Sequence, residues 1–239
     1  MIVSIHQPGY LPWHGLFHRL ALSDLHLFFD TAQFEKHGYN NRAKIRTAQG
    51  EQWLTVPVLT KGRFGNNPIQ EAELNPTIDW RKTHWKTLTL AYGRAPYFEE
   101  HRPFFSKLYE TPWAHLAPFN IHALRHLAGV LGIGCRFVSA SELSVEGQKS
   151  ELVLNLCRAV GATTYLSGVN GRDYLDRTAF RRAGITLRFQ AYQEPPYRQI
   201  HGEFRPYMSV IDLLFNHGPA SLGIILDGQD TIQSGSVSE

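Results

Sequence analysis

Apolar and polar positions alternate along this chain in two rhythms. A short apolar run, Ile2–Ile5, stops at His6-Gln7-Pro8. Leu11, Leu16, Phe17, Leu20 and Ala21 then recur at helical spacing, predicting a helix within 11–22 that Ser23-Asp24 closes. A second buried-type run, Leu25–Asp30, follows directly. Strand, helix, strand in that order predicts a βαβ unit and parallel pairing.

Downstream, NNRAKIRTAQGEQWLTVPV predicts a hairpin with strands near 42–47 and 53–58, a turn at Gln49-Gly50-Glu51, and an edge position marked by Pro57. Residues 60–78 are rich in Gly, Asn and Pro and read as a surface loop. From Asp79, a helix N-cap candidate, the period becomes helical: Trp80, His84, Leu88 and Ala91 share a face, and further helices are expected near 98–109 and 119–131. Strands are then expected at 136–140, 163–167 and 186–189, with helices at 149–160 and 173–182, the latter stopped by Gly184, and a short helix within 203–217. The expected architecture is α/β: a mostly parallel sheet with flanking helices, an edge β-hairpin and a helical insertion or cap at 79–131. Residues 1–226 are expected to form a single domain, and 227–239 a polar, flexible tail.

Composition narrows the function classes. With 43% hydrophobic and 19% charged residues, the 239-residue chain has the make-up of a globular protein with one sizeable core. A net charge of +3 gives no reason for a nucleic-acid partner. No window is apolar enough to span a bilayer, and no basic segment precedes the first strand, so neither membrane span nor secretory signal is expected. Two cysteines, Cys135 and Cys157, make no disulfide framework, and a cytoplasmic protein is the expectation.

In an open parallel sheet, ligands bind beyond the carboxyl ends of the strands. Three expected strands end on suggestive residues: His6-Gln7, Asp30 with Gln33 close behind, and Ser167-Gly168. Each is also explained by a strand leaving the core, but together they mark a candidate site. Pro8 restricts Gln7 to extended geometry, Gly9 permits close approach of a ligand or of another backbone, and Gly15 lies at a helix start that favours anions. His6 is the candidate acid–base group, with Asp30 to orient or assist it. Arg42, Lys44 and Arg46 alternate along one strand and form a cationic stripe suited to a phosphorylated substrate, or else a solvated outer face, with Asn41 adjacent. Tyr10 is one of several rings that could stack on a sugar or base or belong to the core. His122 and His126 stand four apart, but no HExxH or cysteine pair accompanies them, and no metal site is expected. No Walker loop, GxGxxG or GxSxG is present, and no cofactor is indicated.

The stretches IHQPGYLPWHGLF at 5–17 and DTAQFEKHGYNNRAKIRTAQGEQWLTVPV at 30–58 are similar to the WbqC-like family of bacterial proteins. The resemblance continues through YLSG at 165–168, GRDYLD at 171–176 and FRPYMSVIDLLFNHG at 204–218. The family motifs fall on His6, Gln7, Pro8, Tyr10, Leu11, Pro12 and Gly15; on Asp30, Gln33, Asn41, Arg42 and Lys44; and on Ser167, Gly168, Asp173 and Tyr174. The loop after YLSG reads VNG, where the family pattern leads one to expect a richer glycine–proline turn. The resemblance implies surface-polysaccharide (O-antigen-like) biosynthesis and, from a role suggested for some members, an acyl or aminoacyl transferase that places glycine or a similar group on an amino sugar or nucleotide-sugar. In that reading His6 and Asp30 are catalytic, and Gln7, Tyr10, Gln33, Asn41, Arg42, Lys44, Ser167, Gly168 and Asp173 hold a small, phosphate-bearing substrate. The alternative is a non-catalytic module of the same pathway that binds a nucleotide-sugar or glycan, in which His6 and Asp30 have no chemical task.

Overall fold

The computed structural model describes residues 1–36, 38–60, 62, 67–230 and 233–234. Its elements in chain order are β1 (Ile2–His6), α1 (His14–Ala21), β2 (Leu25–Phe28), β3 (Arg42–Thr47), β4 (Gly50–Thr55), α2 (Trp80–Tyr92), α3 (Phe98–Glu110), α4 (Leu116–Val130), β5 (Arg136–Ser139), α5 (Lys149–Ala159), β6 (Thr164–Ser167), α6 (Arg177–Arg182), β7 (Thr186–Phe189), β8 (Tyr192–Gln193), α7 (Val210–His217), α8 (Ser221–Leu226), β9 (Gln229–Asp230) and β10 (Gln233–Ser234). The main sheet has the order β10-β7-β6-β1-β2-β5, parallel throughout except for β10, which pairs antiparallel with β7. The chain is therefore α/β, as its alternating rhythm predicts.

The first three residues of the α1 prediction are not helical. Leu11 adopts φ 39 and Pro12 follows, so the helix starts only at His14. The 173–182 helix likewise shortens to α6, because the Asp176 carboxylate accepts from the Thr178 and Ala179 amides at 2.9 and 3.0 Å and sets the start there. Gly184, at φ 72, closes it: the Ile185 amide reaches back to the Phe180 carbonyl at 3.0 Å. Asp79 does stand at the cap position of α2, but its side chain makes no cap bond and pairs with Lys82 at 3.2 Å instead.

The hairpin is a separate two-stranded sheet. Its register pairs Arg42 with Thr55 and Thr47 with Gly50, so its turn is Ala48-Gln49 and β4 ends before Pro57, three residues earlier than expected. A strand stops naturally where the next residue but one lacks an N–H. Within the segment expected to be a tail, β9 pairs with β8 and β10 with β7; residues 231–232 and 235–239 lie outside the described residues.

Two apolar layers cover the sheet. One joins Leu16, Phe17 and Leu20 of α1 to Phe28, the hairpin, α2–α4, α7 and α8. The other packs Val3, Ile5, Leu25 and Leu27 against Val153, Leu156 and Phe180 from α5 and α6. Because β1 and β2 are followed by helices on the first face and β5 and β6 by helices on the second, the strand order reverses between β1 and β6. That reversal is the topological switch point of a doubly wound sheet.

Candidate functional site

β1 and β6 pair only at Ile2–Thr164 and Val3–Tyr165, whereas β1 stays paired with β2 to His6 and β6 with β7 to Ser167. Beyond Tyr165 the two strands at the switch point share no ladder. A cavity of about 800 Å³ opens there. It is lined by Ile5, His6 and Gln7 from β1 and its loop, Trp13 and Arg19 from the α1 region, Tyr165 and Ser167–Gly171 from β6 and the turn after it, Tyr174, and Gln190–Tyr192 beyond β7. Phe29, Glu35 and Val153 complete the wall.

The β1–α1 loop that carries His6 and Gln7 is pinned from several directions. Asn120 Nδ2 donates to the Pro8 carbonyl at 3.0 Å and to the Asn40 carbonyl at 2.7 Å. The Tyr10 amide donates to the Asn40 carbonyl at 3.1 Å. A Cβ at Gly9 would stand 3.3 Å from the Tyr39 carbonyl, so the close approach expected there is by backbone. Asn40 Nδ2 donates to Gln7 Oε1 at 3.0 Å, which engages the amide oxygen and leaves the Gln7 side-chain NH2 group as donor. At Gly15 a Cβ would meet the Trp13 indole at 2.3 Å; the glycine lets the indole fold back over the helix start, covering the anion position expected at Gly15.

His6 Nδ1 lies 2.8 Å from the Gln7 carbonyl oxygen. A carbonyl only accepts, so Nδ1 carries the proton and Nε2 keeps its lone pair. The ring lines the cavity and is exposed at its surface. Desolvation by the surrounding protein first, and then the Arg19 guanidinium, lower its pKa from 6.5 to about 4, against the bond to Gln7. Behind it His26, bonded to Ser4 Oγ at 2.9 Å, is likewise held neutral by burial, then by His6 and Arg19.

The structure brings His6, Gln7, Ser167 and Gly168 to this one cavity. It places the other candidates elsewhere. Asp30 accepts from the Ser141 amide at 3.0 Å and the Ser141 hydroxyl at 2.6 Å, anchoring the turn after β5. Tyr10 is in the core, its hydroxyl bonded to Tyr109 and to His84 Nδ1 at 2.9 Å. Asn41 Nδ2 holds the Val56 carbonyl at 2.8 Å, and Gln33 Oε1 accepts from the Asn67 amide at 3.2 Å. Of the cationic stripe, Arg42 stacks 4.5 Å from the Trp53 ring centre, Lys44 pairs with Glu51 at 2.8 Å, and Arg46 donates to the His201 carbonyl at 3.0 Å. Asp173 is exposed, in the turn between the lining residues Gly171 and Tyr174. His122 and His126 pack their rings against Phe104, and among the described residues no cluster suits a metal ion.

Arg19 escaped the sequence reading. It looks like the polar side of an amphipathic helix, yet every residue of α1 from His14 to Leu20 is buried. On a helical wheel it lies outside the arc of Leu16, Leu20, Phe17 and Ala21, so no local signal marks it as turned inward.

Fold and cavity together define a doubly wound α/β protein with a cavity at its switch point. The chain matches the WbqC-like protein family over residues 7–224 and belongs to that family. It is similar to the protein of Mycobacterium tuberculosis (strain ATCC 25618 / H37Rv) named "Uncharacterized protein Rv1507c", with 36% identity over 220 residues, covering 90% of this chain and 94% of that protein. No solved structure matches the chain. Among the described residues, no helix is long and apolar enough to cross a membrane.

Proposed function

We propose that this protein is an acyl or aminoacyl transferase that forms an amide on an amino sugar or nucleotide-sugar, in the surface-polysaccharide context that the family resemblance implies. The observation that carries the reading is His6: a fixed, neutral imidazole with Nε2 unprotonated, on the wall of a cavity large enough for such a substrate. Amide formation joins the acyl carbon of an activated donor to the sugar nitrogen. The bond from that carbon to the donor's leaving group breaks, and the leaving group departs with its electron pair. The nitrogen loses a proton, and His6 Nε2 is the acceptor for it. The Gln7 side-chain NH2 group is the donor for the oxyanion that develops on the acyl oxygen. Asp30, committed to Ser141, has no step in this scheme.

The test is a product assay by mass spectrometry with a glycyl donor and UDP-linked amino sugars, run on the wild-type protein and on His6→Ala. New amide that disappears in His6→Ala supports the reading. Binding of the nucleotide-sugar with no product from any donor, unchanged in His6→Ala, supports the non-catalytic module instead.

A further inference from the structure

The floor of the switch-point cavity holds a cation without a counter-ion. Arg19 is 6% exposed, and its Nε has no hydrogen-bond partner. Among the described residues no carboxylate pairs with it; Glu35, the one acidic residue in the lining, forms no ion pair with it. The groups that sense the guanidinium are His6, His26, Tyr165 and Tyr174, all neutral at pH 7. Burying a charge without a partner is costly, and proteins avoid it unless a ligand supplies the partner. The guanidinium also rests against bare backbone: a Cβ on Gly168 would stand 3.0 Å from Nη1. This is the place in a doubly wound sheet where phosphates sit, but the chain has no glycine-rich phosphate loop after β1, and Trp13 covers the start of α1.

We infer that Arg19, backed by Gly168, is the anion anchor of the cavity and binds a phosphoryl group of the substrate. This rests on the proposed function and specifies it: the substrate enters with its phosphate on Arg19, and its remaining part lies along His6 and Gln7 towards the Trp13 and Tyr192 rings. An arginine side chain here replaces the helix amides that hold phosphate in other switch-point folds. A guanidinium can bind two oxygens of a phosphoryl group at once.

The experiment is calorimetric titration and thermal shift of the full chain with inorganic pyrophosphate, UDP, uridine and glycine. Wild-type protein should bind pyrophosphate and UDP and leave uridine and glycine unbound. Tighter binding of UDP than of pyrophosphate identifies a nucleotide as the source of the phosphate; equal binding identifies the diphosphate alone. Arg19→Gln should weaken both anions roughly tenfold or more, because a hydrogen-bonded charge is lost. It should not lower the melting temperature of the unliganded protein, since an unpaired buried cation has gone; a merely structural arginine would do the opposite. If Arg19→Gln does not fold, Gly168→Ala, which pushes on Nη1, decides by the same loss of anion affinity. No anion binding by the wild type, or unchanged affinity in the variant that folds, overturns the assignment. Anion binding without amide product leaves this site standing and removes the transferase reading; product formation with no dependence on Arg19 does the reverse.

Discussion

His6 Nδ1 donates to the carbonyl of its own neighbour, Gln7, at 2.8 Å, and this short local bond decides which ring nitrogen is free for chemistry. The proline after Gln7 restricts that residue's backbone, so sequence, turn geometry and tautomer are one chain of cause. With its pKa near 4, the ring is neutral and Nε2 unprotonated at neutral pH. The limb of kcat/KM that belongs to His6 should therefore lie near pH 4, where Nε2 takes up a proton, below the limb set by protonation of the amino sugar's own nitrogen. His6→Ala should reduce turnover by roughly a hundredfold or more while ligand affinity moves little. A pH–rate profile on both proteins checks this.

Asp30→Ala should lower stability by about 1–3 kcal/mol, because the Ser141 amide and hydroxyl lose their acceptor. Affinity for anions and nucleotide-sugars should be unchanged. Urea denaturation alongside a binding titration separates the two effects, and a loss of turnover beyond the loss of folded protein would return Asp30 to the site.

Buried histidines set the acid limit of stability. Burial lowers the pKa of His84 to about 4 against its bond to the Thr55 backbone, and His126, His26 and His101 are lowered mainly by burial too. A depressed histidine contributes stability that is complete above its unfolded pKa of about 6.5 and is lost as pH falls towards its folded value, because only the unfolded chain takes up the proton in between. Asp212, raised by burial, works the other way, but it is one group against several. Urea midpoints should be steady above about pH 7 and fall steeply between about 6 and 4. His84→Gln should remove on the order of 3 kcal/mol of that slope over the full window.

Asp212 ties the α7 layer to the hairpin. Its carboxylate accepts from Tyr92 and Tyr197 hydroxyls, both at 2.8 Å, and from Gln199 Nε2 at 2.9 Å, while the Tyr92 oxygen in turn accepts from the Arg46 amide at 3.0 Å. Asp212→Ala should cost roughly 3 kcal/mol or more by leaving three buried donors unmet, and Asp212→Asn less, since an amide oxygen still accepts. Thermal unfolding of the two variants measures the difference.

Much of the fold was legible because its signals are local. The periods of 2–28 and 136–189 mark strand and helix without help from distant contacts. The hairpin register was not, since one strand's limits depend on its partner, and the partner set β4 three residues earlier than Pro57 suggested. The sheet order was also out of reach, and with it the neighbours of His6. Strand tips at His6 and Ser167 meet because β1 and β6 are adjacent; Asp30, though only two residues past β2, turns away from β1 to Ser141 at the end of the neighbouring β5. The stripe of Arg42, Lys44 and Arg46 has the right period but spends its charges on Trp53, Glu51 and a carbonyl. Arg19 was hidden for the opposite reason: nothing local distinguishes a helix arginine that faces solvent from one turned inward to a cavity.

On the proposed function, ligand enters the gap between β1 and β6. The most direct measurement is an amide NMR titration of the labelled protein with a UDP-linked amino sugar. Shifts should concentrate at Ile5–Gln7, Ser167–Gly171 and Gln190–Tyr192. Shifts confined to the groove of Asn75–Lys82 and Trp113, or to the hairpin around Arg42 and Lys44, with residues 5–7 unmoved, would contradict it.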